Sequence, residues 1–429
     1  MHTHDMGRWI EPYGHNAQTP HLMKLAQEGT VFRNAFCAAP TCSPSRAALL
    51  TGMTPHSSGM LGLAHRGFQL GDYDKHLVHF LNGKGYETTL CGIQHEAEAA
   101  ETLGYKTILD NQDYNMGDFD KDWTAFDKDN AELVASYLNQ SHSEPFFLSF
   151  GMFNTHREFP PLDADSDPNY VATPYALHDN HNNRIEMARF LSSVHVVDDC
   201  VGIVMNALQK SGHLEDTLII FTTDHGPAFP FMKCNLYDDG IGISLIIRHP
   251  EVDSTPKIVD GMVSHIDIFP TICDLLNLEQ PSWLQGASLN PILKGETEKV
   301  REEVFSEVTY HASYEPSRSI RTERYKYIRF FDDDLSIASA NIDDSHSKTF
   351  LINNGYLNMH RERELLFDLY IDPMERTNLI HDQAYHPIYM DMSQRLHEWM
   401  VETNDPLLSG QVAKPKGAFV NKKSTIHPE

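Results

Sequence analysis

Three short runs of large apolar residues constrain this chain most: residues 146–150 (Phe-Phe-Leu-Ser-Phe), 218–221 (Leu-Ile-Ile-Phe) and 244–247 (Ser-Leu-Ile-Ile). None alternates apolar with polar, as a strand with one wet face would, so each reads as a strand buried on both faces. Residues 87–91 read as another strand. Helical patterns lie between them. Thr19-Pro20 open one at an N-cap and first helical position, Leu22, Met23, Leu25 and Ala26 fill it, and Gly29 closes it. Leu77, Val78, Phe80 and Leu81 before Gly83 give a second. Ile185, Ala188, Leu191, Val194, Val201, Val204 and Leu208 stand at helical spacing up to Gly212. Strands alternating with helices imply an α/β fold, a mainly parallel sheet flanked by helices on both faces.

Sites in such sheets collect beyond the carboxyl ends of the strands. His95, His156 and the pair Asp224-His225 each follow a predicted strand. Past residue 300 the texture changes. Residues 317–321 and 324–330 flank Thr322-Glu323 as a hairpin, 365–370 run into the turn Asp372-Pro373, and 386–403 form a closing helix. The reading is a catalytic domain over 1–300, a smaller C-terminal α+β domain over 301–415, and a mobile tail over 416–429.

Charge narrows the function. The 34 basic and 60 acidic residues give a net charge of −26, which argues against non-specific nucleic-acid binding. An anionic substrate must then be drawn in by local cations or a metal. The 25 histidines make metal ligation plausible. Six scattered cysteines without a C-x-x-C pair suggest free thiols in a reducing compartment. With no signal peptide and no apolar run of membrane-spanning length recognised, the expectation is a cytoplasmic protein without a membrane partner.

The sharpest chemical signal is residues 41–52, Thr-Cys-Ser-Pro-Ser-Arg-Ala-Ala-Leu-Leu-Thr-Gly. Cys42 stands two residues before Pro44, read as the helix start, and four before Arg46. A thiol there meets the positive end of a helix dipole and a guanidinium, both of which favour an anion. The alternative is a buried cysteine at a helix start.

This segment resembles the signature of the type I, formylglycine-dependent sulfatases of the alkaline phosphatase superfamily. The likeness extends to Thr-Pro-His-Leu-Met-Lys-Leu-Ala-Gln-Glu-Gly from Thr19, Phe-Arg-Asn-Ala-Phe from Phe32, Phe367-Asp368-Leu369-Tyr370 and Asn378-Leu379. Gly59-Met60-Leu61-Gly62-Leu63, Asn235-Leu236-Tyr237 and Trp399…Glu402-Thr403…Asp405-Pro406 resemble the N-sulfoglucosamine sulfohydrolase branch. The resemblance implies a sulfuric ester or sulfamate hydrolase acting on a small sulfated sugar or oligosaccharide, such as a glucosamine sulfate. It implies conversion of Cys42 to formylglycine by a maturation enzyme that reads Ser43, Pro44 and Arg46. The hydrated aldehyde then attacks sulfur, and its second hydroxyl expels sulfate.

The resemblance also assigns roles. Arg46 orients the hydrated aldehyde, His95 contacts its hydroxyl, His156 is the general acid beside the leaving atom, and Lys233 is a cation on the sulfate oxygens. His4, Asp5, Cys42, Asp224 and His225 match the ligands of a divalent metal, calcium in the family. Here His4 and His225 replace oxygen ligands, which points toward manganese or zinc. Ile93 stands where the family has a sulfate-binding lysine, with Arg66 or His65 as substitutes. That departure keeps open a phosphoester or phosphonate hydrolase of the same superfamily, and a catalytically silent carbohydrate-binding relative is the third reading. Only Met1, His2 and Thr3 precede the His4-Asp5 pair, so either the sequence starts late or the sheet lacks a strand that would order it. Residues 160–182 and 308–318, with Tyr310, His311 and Arg318, are expected on the rim of the pocket.

Overall fold

The computed structural model describes residues 1–109, 121–163, 166–250 and 257–429; residues 164 and 165 of the expected rim loop lie outside them. Among the described residues the main sheet has eight strands, in spatial order Lys257–Val259, Thr30–Phe32, Leu245–Arg248, Ile219–Thr223, His2–Thr3, Phe146–Gly151, Glu87–Gly92 and Thr107–Ile108. Leu245–Arg248 runs against both neighbours and every other pairing is parallel, so the sheet is mixed and mainly parallel.

Helices cover it as the sequence pattern requires. Pro20–Glu28 begins at Pro20, though Thr19 makes no capping bond; its Oγ1 accepts from the Glu11 N–H at 2.9 Å. Asp198 takes over that end, accepting from His21 N at 3.1 Å and Leu22 N at 2.7 Å. The long helix His181–Ser211 starts on Asn180, whose side chain accepts from Asn183 N, and ends on left-handed Gly212. Contrary to the reading from composition, this helix has the length and hydropathy of a membrane span. It is a core element instead: Met187, Phe190, Val194, Val197 and Val201 are buried in the main cluster with Phe150 and Phe221. The helix Trp123–Leu138, which the sequence reading passed over, packs beside it.

Two expectations about the central strands need correction. His2–Thr3 do form a strand, between Phe146–Gly151 and Ile219–Thr223, and its position orders His4 and Asp5. Phe146, Phe147 and Leu148 are only half-buried. The short His2–Thr3 strand does not reach their end of the sheet, where a cavity of about 440 Å³ is lined by Met1, Phe146, Leu148, Leu218 and Ile220.

A separate antiparallel sheet follows, ordered Glu303–Tyr310, Tyr314–Thr322, Tyr325–Phe330 and Glu364–Asp368. The helix His386–Glu402 packs on it through Met392, Leu396 and Met400 against Ile320, Tyr327 and Leu366. The segment after 415 is not a mobile tail in this structure. Ala418 is buried, Phe419 N donates to Arg66 O at 2.9 Å, and Asn421 N donates to Ala312 O at 2.8 Å. These bonds fix backbone groups that a mobile tail would leave to water.

Candidate active site

Four parallel strands end together, and their next residues converge. Thr3 leads to His4 and Asp5, Gly92 to His95, Gly151 to His156, and Thr223 to Asp224 and His225. Asp5 adopts a left-handed backbone (φ 45°), a conformation Asp tolerates better than most side chains. Its N–H donates to Asp224 Oδ1 at 2.8 Å, and the His4 carbonyl accepts from Thr155 Oγ1 at 2.8 Å.

Cys42 enters from the facing helix, Cys42–Thr51, whose N-cap Thr41 is extended. The helix begins at Cys42 itself, so Pro44 lies within the first turn rather than at the start, a place where proline costs no helical bond. Every residue of this helix is buried. The Cys42 sulfur lies 3.4 Å from His225 Nε2 and 3.9 Å from Asp5 Oδ1. Burial pushes its thiol well above the usual range.

One donor atom each from His4, Asp5, Cys42 and Asp224 falls within 4.8 Å of the others. His225 Nδ1 donates to the Gly226 carbonyl at 2.9 Å, which turns Nε2 toward the Cys42 sulfur and the carboxylates, 3.4 Å from Asp5 Oδ1 and 3.7 Å from Asp224 Oδ1. His4 is fully buried, and among the described residues neither ring nitrogen has a hydrogen-bond partner, although Nδ1 lies 3.2 Å from Asp224 Oδ2. Burial holds this imidazole neutral, down to about 3. A buried nitrogen without a partner costs about 1–3 kcal/mol, a cost a bound cation removes. The donor set therefore fits a divalent metal.

Arg46 is committed to the frame of this cluster. Its Nε donates to Asp224 Oδ2 at 3.2 Å, and its other nitrogens reach Thr3 O at 3.1 Å and His2 Nδ1 at 2.6 Å. Asp224 is buried, which opposes ionisation, yet His225 and Arg46 hold its carboxyl well below the usual range. Ser45 Oγ, donating to the Asp224 carbonyl at 2.5 Å and lying 3.1 Å from His265 Nδ1, steadies the same strand end.

Lys233 lies almost buried, donating to Asp5 Oδ2 at 2.8 Å with Asp343 Oδ2 at 3.0 Å on its other side. Burial alone would lower it, but Asp343 and Asp5 overcome that and hold the ammonium well above the usual range. His156 donates from Nδ1 to the Arg157 carbonyl at 2.5 Å, so Nε2 is the atom that takes up and releases a proton. Its loop hangs on Asp127, which accepts from Phe153 N and Asn154 N, each at 2.8 Å. His95 pairs with His65, Nε2 to Nδ1 2.8 Å, the rings stacked 5.1 Å apart.

Of the two substitutes for the missing lysine, His65 thus reaches the cluster. Arg66 turns away, to Asn421 Oδ1 at 2.9 Å and the Phe419 ring. Ile93 packs in an apolar cluster with Trp123, Phe126 and Phe153. The rim expectation fails for Tyr310 and Arg318. Tyr310 is buried against Phe68, and Arg318 is paired in the interior with Asp405 (2.6 Å) and Glu307 (3.0 Å). His311 is buried as well, its imidazole held below the usual range by burial and by the Lys233 charge.

Asp343, Asp127 and His265 were missed in the sequence, where no motif surrounds them. Asp343 arrives from the C-terminal part of the chain. Glu186 of the long helix accepts from His346 N at 2.7 Å and Ser347 N at 3.2 Å, fixing the start of the helix His346–Asn353 just after it. The same Glu186 pairs with Arg157 at 3.1 Å, next to His156.

Known proteins are similar to this chain in sequence and in fold. The family model described as "Sulfatase" matches residues 9–278, and one described as "N-sulphoglucosamine sulphohydrolase, C-terminal" matches residues 226–345. The N-sulphoglucosamine sulphohydrolase of Homo sapiens is 28% identical over 471 residues, covering 95% of this chain and 89% of its own. A solved structure described as in complex with its substrate D-glucosamine-2-N,6-O-disulfate superposes with TM-score 0.73 at 20% identity, over 94% of this chain and 97% of the other. The phosphonate monoester hydrolase of Agrobacterium radiobacter superposes with TM-score 0.71 at 21% identity, over 98% and 99%.

Proposed function

The chain belongs to the sulfatase family, and on that premise we propose that it hydrolyses the sulfate ester or sulfamate of a sulfated sugar, glucosamine above all, at the pocket around Cys42. The carrying observation is the sulfur of Cys42, at the mouth of a helix and in one cluster with His4, Asp5 and Asp224. The glucosamine preference is supported by the human relative and by the disulfated glucosamine bound in the superposed structure.

The mechanism follows from where charge develops. His4, Asp5, Asp224 and His225, with the side chain at position 42, would hold a divalent cation, which supplies Lewis-acid charge on the sulfate oxygens. Two imidazoles in that set favour manganese or zinc over calcium, which prefers an all-oxygen shell. Residue 42, converted to formylglycine, supplies a nucleophile that the buried thiol does not. Because the whole helix from Cys42 to Thr51 is buried, the maturation enzyme would meet this segment before the chain folds.

The chain's own groups do the rest. Arg46 pins Asp224 so that its carboxylate keeps its place when substrate arrives. Lys233 turns its ammonium from the two carboxylates onto the entering sulfate. His156, bonded at Nδ1, gives its Nε2 proton to the departing oxygen or nitrogen. Burial and the Lys233 charge hold this imidazole below its usual range, so an anionic ester beside it would raise its affinity for that proton.

A phosphonate or phosphodiester hydrolase is the second reading, favoured by Ile93 in place of a sulfate-binding cation and by the two imidazoles. Parallel assays on aryl sulfate, glucosamine N-sulfate, glucosamine 6-O-sulfate, a phosphodiester and a phosphonate ester, with several metals, separate the two. Sulfate or sulfamate turnover that depends on the Cys42 aldehyde, verified by intact mass, supports the first. A preference of several decades for the phosphorus esters overturns it.

A further inference from the structure

A second donor set shares His4 and Cys42 with the carboxylate cluster. One ligand atom each from His4, Cys42 and His95 falls within 4.8 Å of the others, and the three residues are 0%, 2% and 5% exposed. We propose that, in a chain that has folded with residue 42 still a thiol, His4, Cys42 and His95 form a zinc site. The inference concerns the unconverted chain and holds whatever the converted one hydrolyses.

The chemistry selects the ion. One sulfur and two imidazoles make a borderline-soft set without the oxygens that calcium or magnesium require. Zinc bonds of about 2.0–2.3 Å bring donors closer together than the free cluster has them, a contraction that ring rotations supply. The nitrogens are bare: among the described residues neither His4 nitrogen has a hydrogen-bond partner, and His95 Nδ1, also buried, has none. His95 Nε2 meets His65 Nδ1 at 2.8 Å, so donation of its N–H to His65 fixes the ring and leaves Nδ1 as a lone pair. Such outer partners are what ligating histidines ordinarily have. His225 Nε2, 3.4 Å from the sulfur, offers a fourth position. On binding, the Cys42 S–H bond breaks, a sulfur–zinc bond forms and one proton leaves to solvent, with no change of oxidation state. Folding is what gathers the three residues, so the site arises only in chains that folded without conversion of Cys42.

The test uses the full-length thiol form, its mass confirming an unconverted Cys42, titrated with Co2+ as the probe and then with Zn2+ in competition. Expected are thiolate-to-cobalt charge-transfer absorption at one equivalent, its loss in Cys42→Ser, and affinity weaker by about tenfold or more in His95→Ala. Cobalt binding without that absorption overturns the proposal, as does wild-type affinity in His95→Ala. Should His95→Ala not fold, X-ray absorption of the wild-type zinc form decides. One sulfur with two or more imidazoles supports the site, and a shell without sulfur overturns it.

Discussion

Lys233 donates to Asp5 across 2.8 Å, and so a carboxylate of the proposed metal cluster is already partly spoken for by a cation of the protein. The ammonium and a divalent metal would share the same charge, one on each oxygen or in competition.

Lys233→Met should therefore separate binding from turnover. Freed of the ammonium, Asp5 binds metal more tightly, while kcat/KM on a sulfated substrate falls about 10²-fold with the loss of a charge aimed at the sulfate. Metal titration by calorimetry alongside steady-state kinetics reads both. Weaker metal binding in the variant would show that Lys233 supports the cluster instead.

Asp127→Ala should destabilise the fold by about 3 kcal/mol, because it strands the N–H groups of Phe153 and Asn154 in the interior. Since that loop carries His156, kcat should drop as well. Urea denaturation and kcat measured on the same preparation test this, and a variant as stable as the parent would contradict it.

Acid should loosen the joint between the helix Pro55–Ser58 and the C-terminal sheet. Burial would raise the Glu307 carboxyl, but Arg318 and His56 bring it down to about 2. A depressed carboxylate contributes its full stability above its unfolded value, near 4.5, and loses it as pH falls through 2. Thermal melts of the parent should thus decline between pH 4.5 and 2, more steeply than those of Glu307→Gln. Parallel curves would mean that the pair contributes nothing to the acid limb.

Ile93→Lys should not restore the sulfate-binding cation. Ile93 is fully buried against Trp123, Phe126 and Phe153, so a lysine there buries a charge without a partner and costs at least about 3 kcal/mol. The outcome to look for is a lowered melting temperature with no gain in sulfate turnover. A stable variant with raised turnover would show that the apolar cluster opens toward the pocket.

Much of this was legible in the sequence because it is local. Gly29, Gly83 and Gly212 marked three helix ends, apolar runs located the strands, and His95, His156 and Asp224 stood just beyond strands, where the fold then gathered them. What stayed hidden depends on distant packing. Asp343 joins Lys233 from 110 positions along the chain, and nothing near it distinguishes it from a surface acid. Arg318, expected on the rim, lies in the interior because Asp405 and Glu307 neutralise it there, and opposite charges bury only together. The strand Glu303–Tyr310 escaped notice because its charged residues obscure the alternation, and Glu307 finds its neutralising partners only in the folded state.

Glu186 grips the start of the His346 helix with the same carboxylate that holds Arg157, so a single buried acid ties together two regions far apart in sequence. A chain cut after the first lobe would lose Asp343 and His311 and leave that acid without half its partners. The site is thus a seam between two parts of the chain rather than the property of one half. Changes to the later half can reshape the site while His95, His156 and Asp224 stay where the main sheet puts them.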